Sequence, residues 1–151
     1  MKDIREKLVG LLRAGYCTPQ ISRIARKLSV PAATIHYNVK RLEEDGALRE
    51  CKAVFDHKKV ESGFTSFVLL SLSPDEYDNP EKIAMELSKH EEIESIDICT
   101  GNWEIVAKVR VKDQEAYYSF VKSVLSRPGI AKIQSLVSMR ELKSEFVSSK
   151  R

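Results

Sequence analysis

The sequence predicts an α+β protein built from two parts, a helical amino-terminal third and a longer part in which strands and helices alternate. Apolar residues recur at helical spacing up to about residue 45, and strand-like runs alternate with helical ones from residue 65 onward. Charge divides the chain in the same way. Residues 1 to 60 hold 13 Lys and Arg against 7 Asp and Glu, a net of +6, whereas residues 61 to 151 hold 12 against 15, a net of −3. We therefore expect the first part to meet a polyanion.

Two short amphipathic helices are predicted at the start of the chain. The first ends near Gly15. One apolar face of this helix consists of Ile4, Leu8, Leu11 and Leu12. The second helix is expected to begin with Thr18 as its N-cap and Pro19 in its first turn.

A third helix is predicted over residues 31 to 44. Pro31 cannot continue a preceding helix through Val30, but it suits the first turn of a new one. Gly46 supplies the C-terminal stop. The inner face is expected to carry Ile35, Val39 and Leu42. Three helices with this turn predict a winged-type helix-turn-helix over residues 1 to 48, whose last helix would lie in the major groove of double-stranded DNA.

The outward arc of this third helix carries the candidate DNA-binding residues. Small side chains would allow close approach, polar and aromatic ones could contact base edges, and cations would meet phosphates. This set is Pro31, Ala32, Ala33, Thr34, His36, Tyr37, Lys40 and Arg41. Further candidates for phosphate contacts are Arg23, Arg26, Lys27, Arg49 and Lys52. The alternative is that these residues form only the solvated side of amphipathic helices.

The rest of the chain predicts a linker strand and connector over residues 49 to 63 and a second domain over 64 to 151. In that domain strands are expected at 65–73, 93–100, 104–111 and 130–139, and helices at 79–91 and 113–127. The order βαββαβ predicts a ferredoxin-like sandwich, with an antiparallel sheet covered on one face by two helices. The other sheet face would need a cover.

Several functions are disfavoured by what the sequence lacks. No apolar run approaches a membrane span and the start lacks a signal-peptide core, so a cytoplasmic protein without membrane contact is expected. The three cysteines, Cys17, Cys51 and Cys99, lie far apart without a CxxC pair, which indicates structural thiols rather than a disulfide framework or metal site. Histidines are scattered and no glycine-rich phosphate loop is present, so no catalytic residues and no cofactor are expected.

Four segments together resemble the Lrp/AsnC, or feast/famine, family of transcription regulators over nearly the whole chain. They are ISRIARKLSVPAATIHYNVKRLEEDGALRE, FDHKKVESGF, IDICTGNWEIVAKVRVKD and PGIAKIQSLVSM. The resemblance implies a transcription regulator whose RAM/ACT-like carboxy-terminal domains pack sheet against sheet in a homodimer, from which tetramers or octamers are built.

The resemblance also implies an amino acid or related metabolite as effector, bound at an interface near the turn between the two central strands. Carried onto this chain, the effector residues are Thr100, Gly101, Asn102, Trp103 and Glu104, with Ser135 and Ser138 as weaker candidates. The family usually has Asp at position 104 and often at 102, so the ligand class stays open. The alternative is that the turn is only structural. Two alternatives stay open: an enzyme on the second domain, and a ligand-sensing module whose helical part binds protein.

Overall fold

The computed structural model describes residues 2–148. Two compact units divide at Phe55 and Asp56, inside the segment predicted as linker and connector. None of the described helices is long and apolar enough to cross a membrane.

The first unit contains three helices, α1 (Lys2–Arg13), α2 (Ile21–Leu28) and α3 (Ala32–Glu44). Helices α2 and α3 pack together and contribute the buried Ala25 and Ile35. Ser29 ends α2 in the left-handed conformation, with φ 55°, and the N–H of Val30 donates to Ala25 O at 3.1 Å. Gly46, with φ 70°, follows α3 and provides the predicted stop. The helix-turn-helix is thus confirmed.

Both helix starts differ slightly from the prediction. Gln20, not Thr18, occupies the N-cap of α2, because the N–H of Ile21 donates to Pro19 O at 2.9 Å and this tight turn keeps Pro19 outside the helix. Pro31 is likewise the N-cap of α3, with φ −57° and ψ 143°, one residue before the helix begins. Neither residue supplies a side-chain cap.

The apolar face of α1 is largely exposed. Ile4, Leu8 and Leu11 expose 70%, 52% and 47% of their surface, and only Leu12 is half-buried. On α3, Leu42 is also 48% exposed. The inner face predicted for α3 is therefore wrong at Leu42, because spacing defines an apolar face without identifying the element that covers it.

The linker strand predicted within residues 49 to 63 is not present among the described residues. The described chain there forms no strand paired to another strand, and its one regular element is a 3₁₀-helix at His57–Val60. The β-hairpin that would form the wing of a winged helix-turn-helix therefore does not follow α3. The four strands of the main sheet pair only with one another, and a strand cannot form without such a neighbour.

The second unit has the predicted βαββαβ order. Its elements are β1 (Phe64–Leu72), α4 (Pro80–Leu87), β2 (Ile93–Ile98), β3 (Ile105–Val111), α5 (Gln114–Phe120), a π-helical continuation (Val121–Leu125) and β4 (Ile130–Val137). The strand order is β2-β3-β1-β4, with all pairs antiparallel. The ferredoxin-like sandwich is therefore confirmed. A hairpin of β5 (Lys143–Ser144) and β6 (Val147–Ser148), which was not predicted, follows β4.

The two faces of the sheet differ in burial. The face toward the helices contains the fully buried Val68, Leu70 and Ile105, packed with Leu87 and Leu125. On the opposite face, which we call the open face, Phe67 pairs with Leu136 and they are 40% and 46% exposed. Alternation along each strand places successive side chains on opposite faces, as predicted for a sheet with helices on one side.

Candidate DNA-binding surface and candidate effector site

Helix α3 presents the predicted outward arc to solvent. Its best-placed aromatic, Tyr37, is 65% exposed. All eight predicted residues are exposed: Pro31, Ala32, Ala33, Thr34, His36, Tyr37, Lys40 and Arg41. Buried Ile35 fixes the opposite side of the helix against α2, so the arc is held on a packed scaffold.

The two cations of this arc are paired along the helix. Lys40 Nζ lies 3.7 Å from Glu44 Oε1, and Arg41 Nε lies 3.9 Å from Asp45 Oδ2. All four side chains are about two-thirds exposed, and pairs of this kind contribute only about 0.3–0.5 kcal/mol. Phosphate oxygens can therefore replace these carboxylates at little energetic cost.

The cations predicted as further phosphate contacts are also exposed. Within α2, Arg23 bonds Gln20 Oε1 through Nη1 at 3.3 Å. The exposed set is Arg23, Arg26, Lys27, Arg49 and Lys52. One polar residue of α3 that the sequence analysis did not single out, Asn38, donates its amide to Thr34 O at 2.8 Å and is committed to the helix itself.

The candidate effector turn joins β2 to β3. The N–H of Cys99 donates to Glu104 O at 2.8 Å and closes the turn. Gly101 has φ 110°, a backbone conformation that favours glycine. Thr100, Gly101 and Asn102 are exposed, whereas Trp103 and Glu104 are half-buried. These five predicted residues are contiguous, so the structure brings them together at one end of the sheet.

Glu104 has a structural role within its own chain. Its Oε2 accepts a hydrogen bond of 2.8 Å from the N–H of Leu72. Leu72 lies where the β1–β4 register shifts, between Ser71 and Leu72. The carboxylate therefore secures the end of β1 at an irregular point of the ladder.

The two serines predicted on the last strand do not approach this turn. Ser135 pairs with Val68 on the helix-facing side, and its Oγ lies 2.5 Å from Tyr117 Oη. The backbone N–H of Ser138 donates to Thr65 O, beyond the end of β4 far from Leu72. On the open face, Lys132 of β4 pairs with Ser71 near this end of the sheet, on the far side of β1 from the turn. Alternation along β4 was the signal that could have placed Ser135 and Lys132 on opposite faces.

The open face carries an ion cluster at the end away from the turn. Lys108 Nζ lies 2.8 Å from Glu94 Oε1 and 3.2 Å from Glu141 Oε2. Arg110 bonds Glu94 closely, and its Nη2 lies 2.8 Å from Glu141 Oε2. A further bond of 2.8 Å joins Arg110 Nη1 to Thr65 Oγ1.

These contacts shift the protonation equilibria of the cluster. Burial alone would raise the pKa of Glu94 and of Glu141, but hydrogen bonds from Arg110 and Lys108 outweigh burial and hold both pKa values below the usual range. Burial would lower the pKa of Arg110, but the two carboxylates raise it. Glu94, Glu141 and Arg110 are therefore charged near neutral pH.

Other reactive groups are dispersed. Within residues 2–148, no three His, Cys, Asp or Glu side chains converge as a metal site requires. Cys17 and Cys51 are half-buried free thiols, as structural thiols would be, whereas Cys99 is exposed at the end of β2.

Known regulators resemble this chain in sequence and in fold. The Lrp/AsnC ligand-binding domain matches residues 65–147. An uncharacterized HTH-type transcriptional regulator of Pyrococcus furiosus is 30% identical over 127 residues, covering 83% of this chain and 85% of that protein. Similar solved structures include an AsnC family regulator from Agrobacterium tumefaciens, with TM-score 0.74 and 21% identity over 97% of this chain and 93% of that one.

A second solved structure is a transcriptional regulator from Neisseria meningitidis in complex with L-methionine. It has TM-score 0.73 and 24% identity, and the match covers 92% of this chain and 89% of that one. The family domain accounts for more than half of the chain, and the relatives match across both units. The protein belongs to the Lrp/AsnC family of regulators.

Proposed function

We propose that the protein is a sequence-specific DNA-binding transcriptional regulator that works in the cytoplasm as a homodimer or a larger assembly. The observation that carries the proposal is the exposed arc of α3, which combines small, polar and basic side chains in a chain whose first 60 residues have a net charge of +6. Membership of the Lrp/AsnC family, whose relatives are HTH-type transcriptional regulators, supports it.

The exposed residues of α3 would make two kinds of contact with DNA. Ala32 and Ala33, at the start of α3, let the helix approach base edges, where Thr34 and His36 can exchange hydrogen bonds. Lys40 and Arg41 lie further along and leave their carboxylate partners for phosphates. Two copies of the helix, one from each protomer, would read half-sites about one helical turn apart or a multiple of it.

The salt dependence of DNA affinity tests this assignment. The double variant Lys40→Ala, Arg41→Ala is compared with the wild type on DNA selected by the wild type from a random pool. Each lost phosphate contact removes about 0.9 from the slope of log affinity against log salt, so the slope should fall by about 2.

A matched control removes two exposed lysines from the acidic unit, Lys89→Ala and Lys112→Ala. This variant should keep the wild-type slope. An unchanged slope in the α3 variant would contradict DNA binding through this arc and would favour a protein partner for the helical unit.

An amino acid or related metabolite is the proposed effector, acting at the turn of residues 100–104. Support comes from the exposed amide of Asn102 and the half-buried Trp103 and Glu104, and from the L-methionine complex of the Neisseria meningitidis regulator. Because Glu104 Oε2 already binds Leu72, the ligand would use the other carboxylate oxygen and the Asn102 amide. Such a ligand can shift the equilibrium between assemblies only if it binds one assembly more tightly than another.

Analytical ultracentrifugation and thermal unfolding with each of the amino acids test the sensing proposal. At least one should change the assembly or raise the melting temperature, and Asn102→Ala should weaken that response. Ser138→Ala is the control, because the backbone of Ser138 bonds Thr65 at the opposite end of the sheet. If no amino acid changes assembly, stability or DNA affinity, the sensing proposal is wrong. Turnover of an acyl or phosphoryl substrate would instead favour an enzyme on the second unit.

A further inference from the structure

A small cleft in the first unit brings two of the three cysteines to one place. Its volume is about 160 Å³, and it lies between the connection from α1 to α2 and the segment that follows α3. Cys17 lines the cleft from the first segment and Cys51 from the second, and both are half-buried free thiols. Two thiols far apart in sequence therefore share one confined space, whereas the exposed Cys99 belongs to the second unit.

A shared hydrogen-bond acceptor holds the two segments beside each other. The carbonyl oxygen of Leu12 accepts a bond of 3.8 Å from Cys17 Sγ and one of 3.2 Å from the N–H of Ala53. Because these two lengths add to 7.0 Å, Cys17 Sγ lies no farther than that from the Ala53 nitrogen. Ala53 follows Cys51 by two residues, so the chain around Cys51 runs close to the Cys17 thiol.

The residue before Cys51 also touches the chain before Cys17. A Cβ on Gly15 would lie 1.9 Å from Glu50 Oε1, so the Glu50 side chain lies directly against this glycine. Two cysteines can form a disulfide when their Cα atoms are roughly 4–7 Å apart. Segments packed this closely need only a local shift to reach that range, and the open volume of the cleft allows it.

We propose that Cys17 and Cys51 form a reversible disulfide when the protein meets a peroxide, and that this bond weakens DNA binding by the first unit. The regulatory part of the inference rests on the proposed function. Disulfides in cytoplasmic proteins are usually transient and serve catalysis or redox sensing. Sensor cysteines are accessible and lie next to a second thiol that can complete the bond. Two half-buried thiols that line one open cleft meet both conditions.

Hydrogen peroxide supplies the two-electron oxidant for this reaction. One thiol attacks a peroxide oxygen, the O–O bond breaks, and a sulfenic acid and one water form. The second thiol then attacks the sulfenic sulfur, which forms the S–S bond and releases the hydroxyl group as a second water. Each sulfur loses one electron, the peroxide gains both, and the two thiol protons leave in the waters. A reducing thiol reverses the bond by thiol–disulfide exchange.

The bond would act on the helices of the DNA-binding motif. Residues 17–51 contain all of α2 and α3, so the disulfide closes the chain around both helices. Glu43, near the end of α3, lines the same cleft. The N–H of Leu48 donates to Leu42 O at 2.9 Å, which ties the segment leading to the cleft to the last turns of α3. Closing the cleft therefore displaces the end of α3, next to the cations proposed to bind phosphates.

Peptide mapping by mass spectrometry without reductant tests the site. The full-length protein is treated with hydrogen peroxide, and the remaining thiols are then blocked with N-ethylmaleimide. We expect a linked pair of peptides that contains Cys17 and Cys51, and dithiothreitol should separate the pair. Cys99→Ser is the matched control, because it removes a thiol of the other unit and should leave the linkage unchanged. Absence of the linked pair in the treated wild type overturns the inference.

The affinity for DNA selected by the reduced wild type tests the regulation. Peroxide should lower the affinity of the wild type at least about tenfold, within the usual range of coupling between sites, and dithiothreitol should restore it. Cys17→Ser and Cys51→Ser should each bind as the reduced wild type does and lose this response, whereas Cys99→Ser should keep it. The wild-type comparison needs no substitution, so it decides the matter even where a variant folds poorly.

The outcomes separate this inference from the proposed function. A reduced wild type that binds no DNA overturns the proposed function and the regulation, while mass spectrometry still decides whether the disulfide forms. A reduced wild type that binds DNA but forms no linkage between Cys17 and Cys51 overturns only the inference. An unchanged affinity in a wild type that carries the linkage overturns the regulation and leaves the proposed function standing.

Discussion

Glu104 Oε2 lies 2.8 Å from the backbone nitrogen of Leu72, so a residue expected to hold an effector also joins two strands of its own sheet. The bond falls where the β1–β4 ladder changes register, at Ser71 and Leu72. Glu104 is followed by the fully buried Ile105, which fixes the start of β3. The carboxylate therefore adds a side-chain link from the turn to the end of β1, beside the backbone connections that β2 and β3 already provide.

We predict that Glu104→Ala destabilises the second unit by about 1–3 kcal/mol, because the Leu72 N–H loses a charged acceptor. Glu104→Gln keeps an acceptor oxygen and should retain most of that stability. Urea unfolding of both variants without ligand measures the difference. Equal stability of Glu104→Ala and the wild type would show that the bond contributes nothing.

The hydroxyl of Tyr117 is predicted to stabilise the contact between α5 and the sheet. It receives a 3.2 Å hydrogen bond from Ser66 Oγ and lies 2.5 Å from Ser135 Oγ. Ser66 is fully buried, so Tyr117→Phe leaves its hydroxyl poorly satisfied and should lower the free energy of unfolding by about 1–3 kcal/mol.

Tyr118→Phe is the natural control for this measurement. Tyr118 is the next residue of α5 and is 59% exposed, so removing its hydroxyl should change the unfolding free energy by less than about 0.5 kcal/mol. If both variants were equally stable, the buried hydroxyl network would carry no net stability.

Much of the fold could be predicted because the decisive signals are local. The Gly46 stop and the helix predicted from residue 113, where Asp113 Oδ1 accepts a 2.9 Å bond from Ala116 N–H, depend on neighbours within a few residues. The outward arc of α3 could be predicted for the same reason, since Ile35 and the 100° spacing fix which side of the helix is buried.

The parts that could not be predicted depend on partners distant in sequence. Ser135 was proposed for the effector site, but it faces Tyr117 because β4 pairs with Val68 in a register that local pattern does not supply. The ion pair of Arg110 and Glu141 spans 31 residues, and the hairpin it holds had no local turn signal. Glu145 and Phe146 replace the Asn and Gly that mark such turns.

The ion cluster predicts an acid-sensitive part of the stability. The pKa values of Glu94 and Glu141 are lower in the folded state than in the unfolded state, where they lie near 4.5. Their contribution to the free energy of unfolding is therefore fully present above about pH 4.5 and is lost as the pH falls through their folded-state pKa values. Glu94→Gln should therefore cost about 1–3 kcal/mol at pH 7, as for the loss of a charged hydrogen-bond acceptor at a partly exposed site, and clearly less at pH 3.

Urea titrations of Glu94→Gln, the wild type and the exposed control Glu91→Gln across this range measure the effect. The control should match the wild type at both pH values. A penalty for Glu94→Gln that is the same at pH 7 and pH 3 would contradict the assignment of this stability to the charged carboxylate.

Two glycines of the first unit should respond to alanine in opposite directions. Gly10 lies inside α1, and an alanine Cβ at this position would have no neighbouring atom within 4 Å, so Gly10→Ala should stabilise the helix by about 0.5–1 kcal/mol. Gly15 has φ 94°, and a Cβ there would lie 1.9 Å from Glu50 Oε1. Gly15→Ala should therefore destabilise the unit by about 1–2 kcal/mol through backbone strain and displacement of Glu50.

Amide hydrogen exchange can assign these two effects to the first unit. The N–H of Ala53 donates to Leu12 O at 3.2 Å, close to the end of α1. Gly15→Ala should speed exchange at Ala53 and along α1, whereas Gly10→Ala should slow it. Protection should stay unchanged in β1 and β3, which belong to the second unit. If Gly15→Ala left the exchange at Ala53 unaltered, Gly15 would not be needed for the path of the chain between α1 and α2.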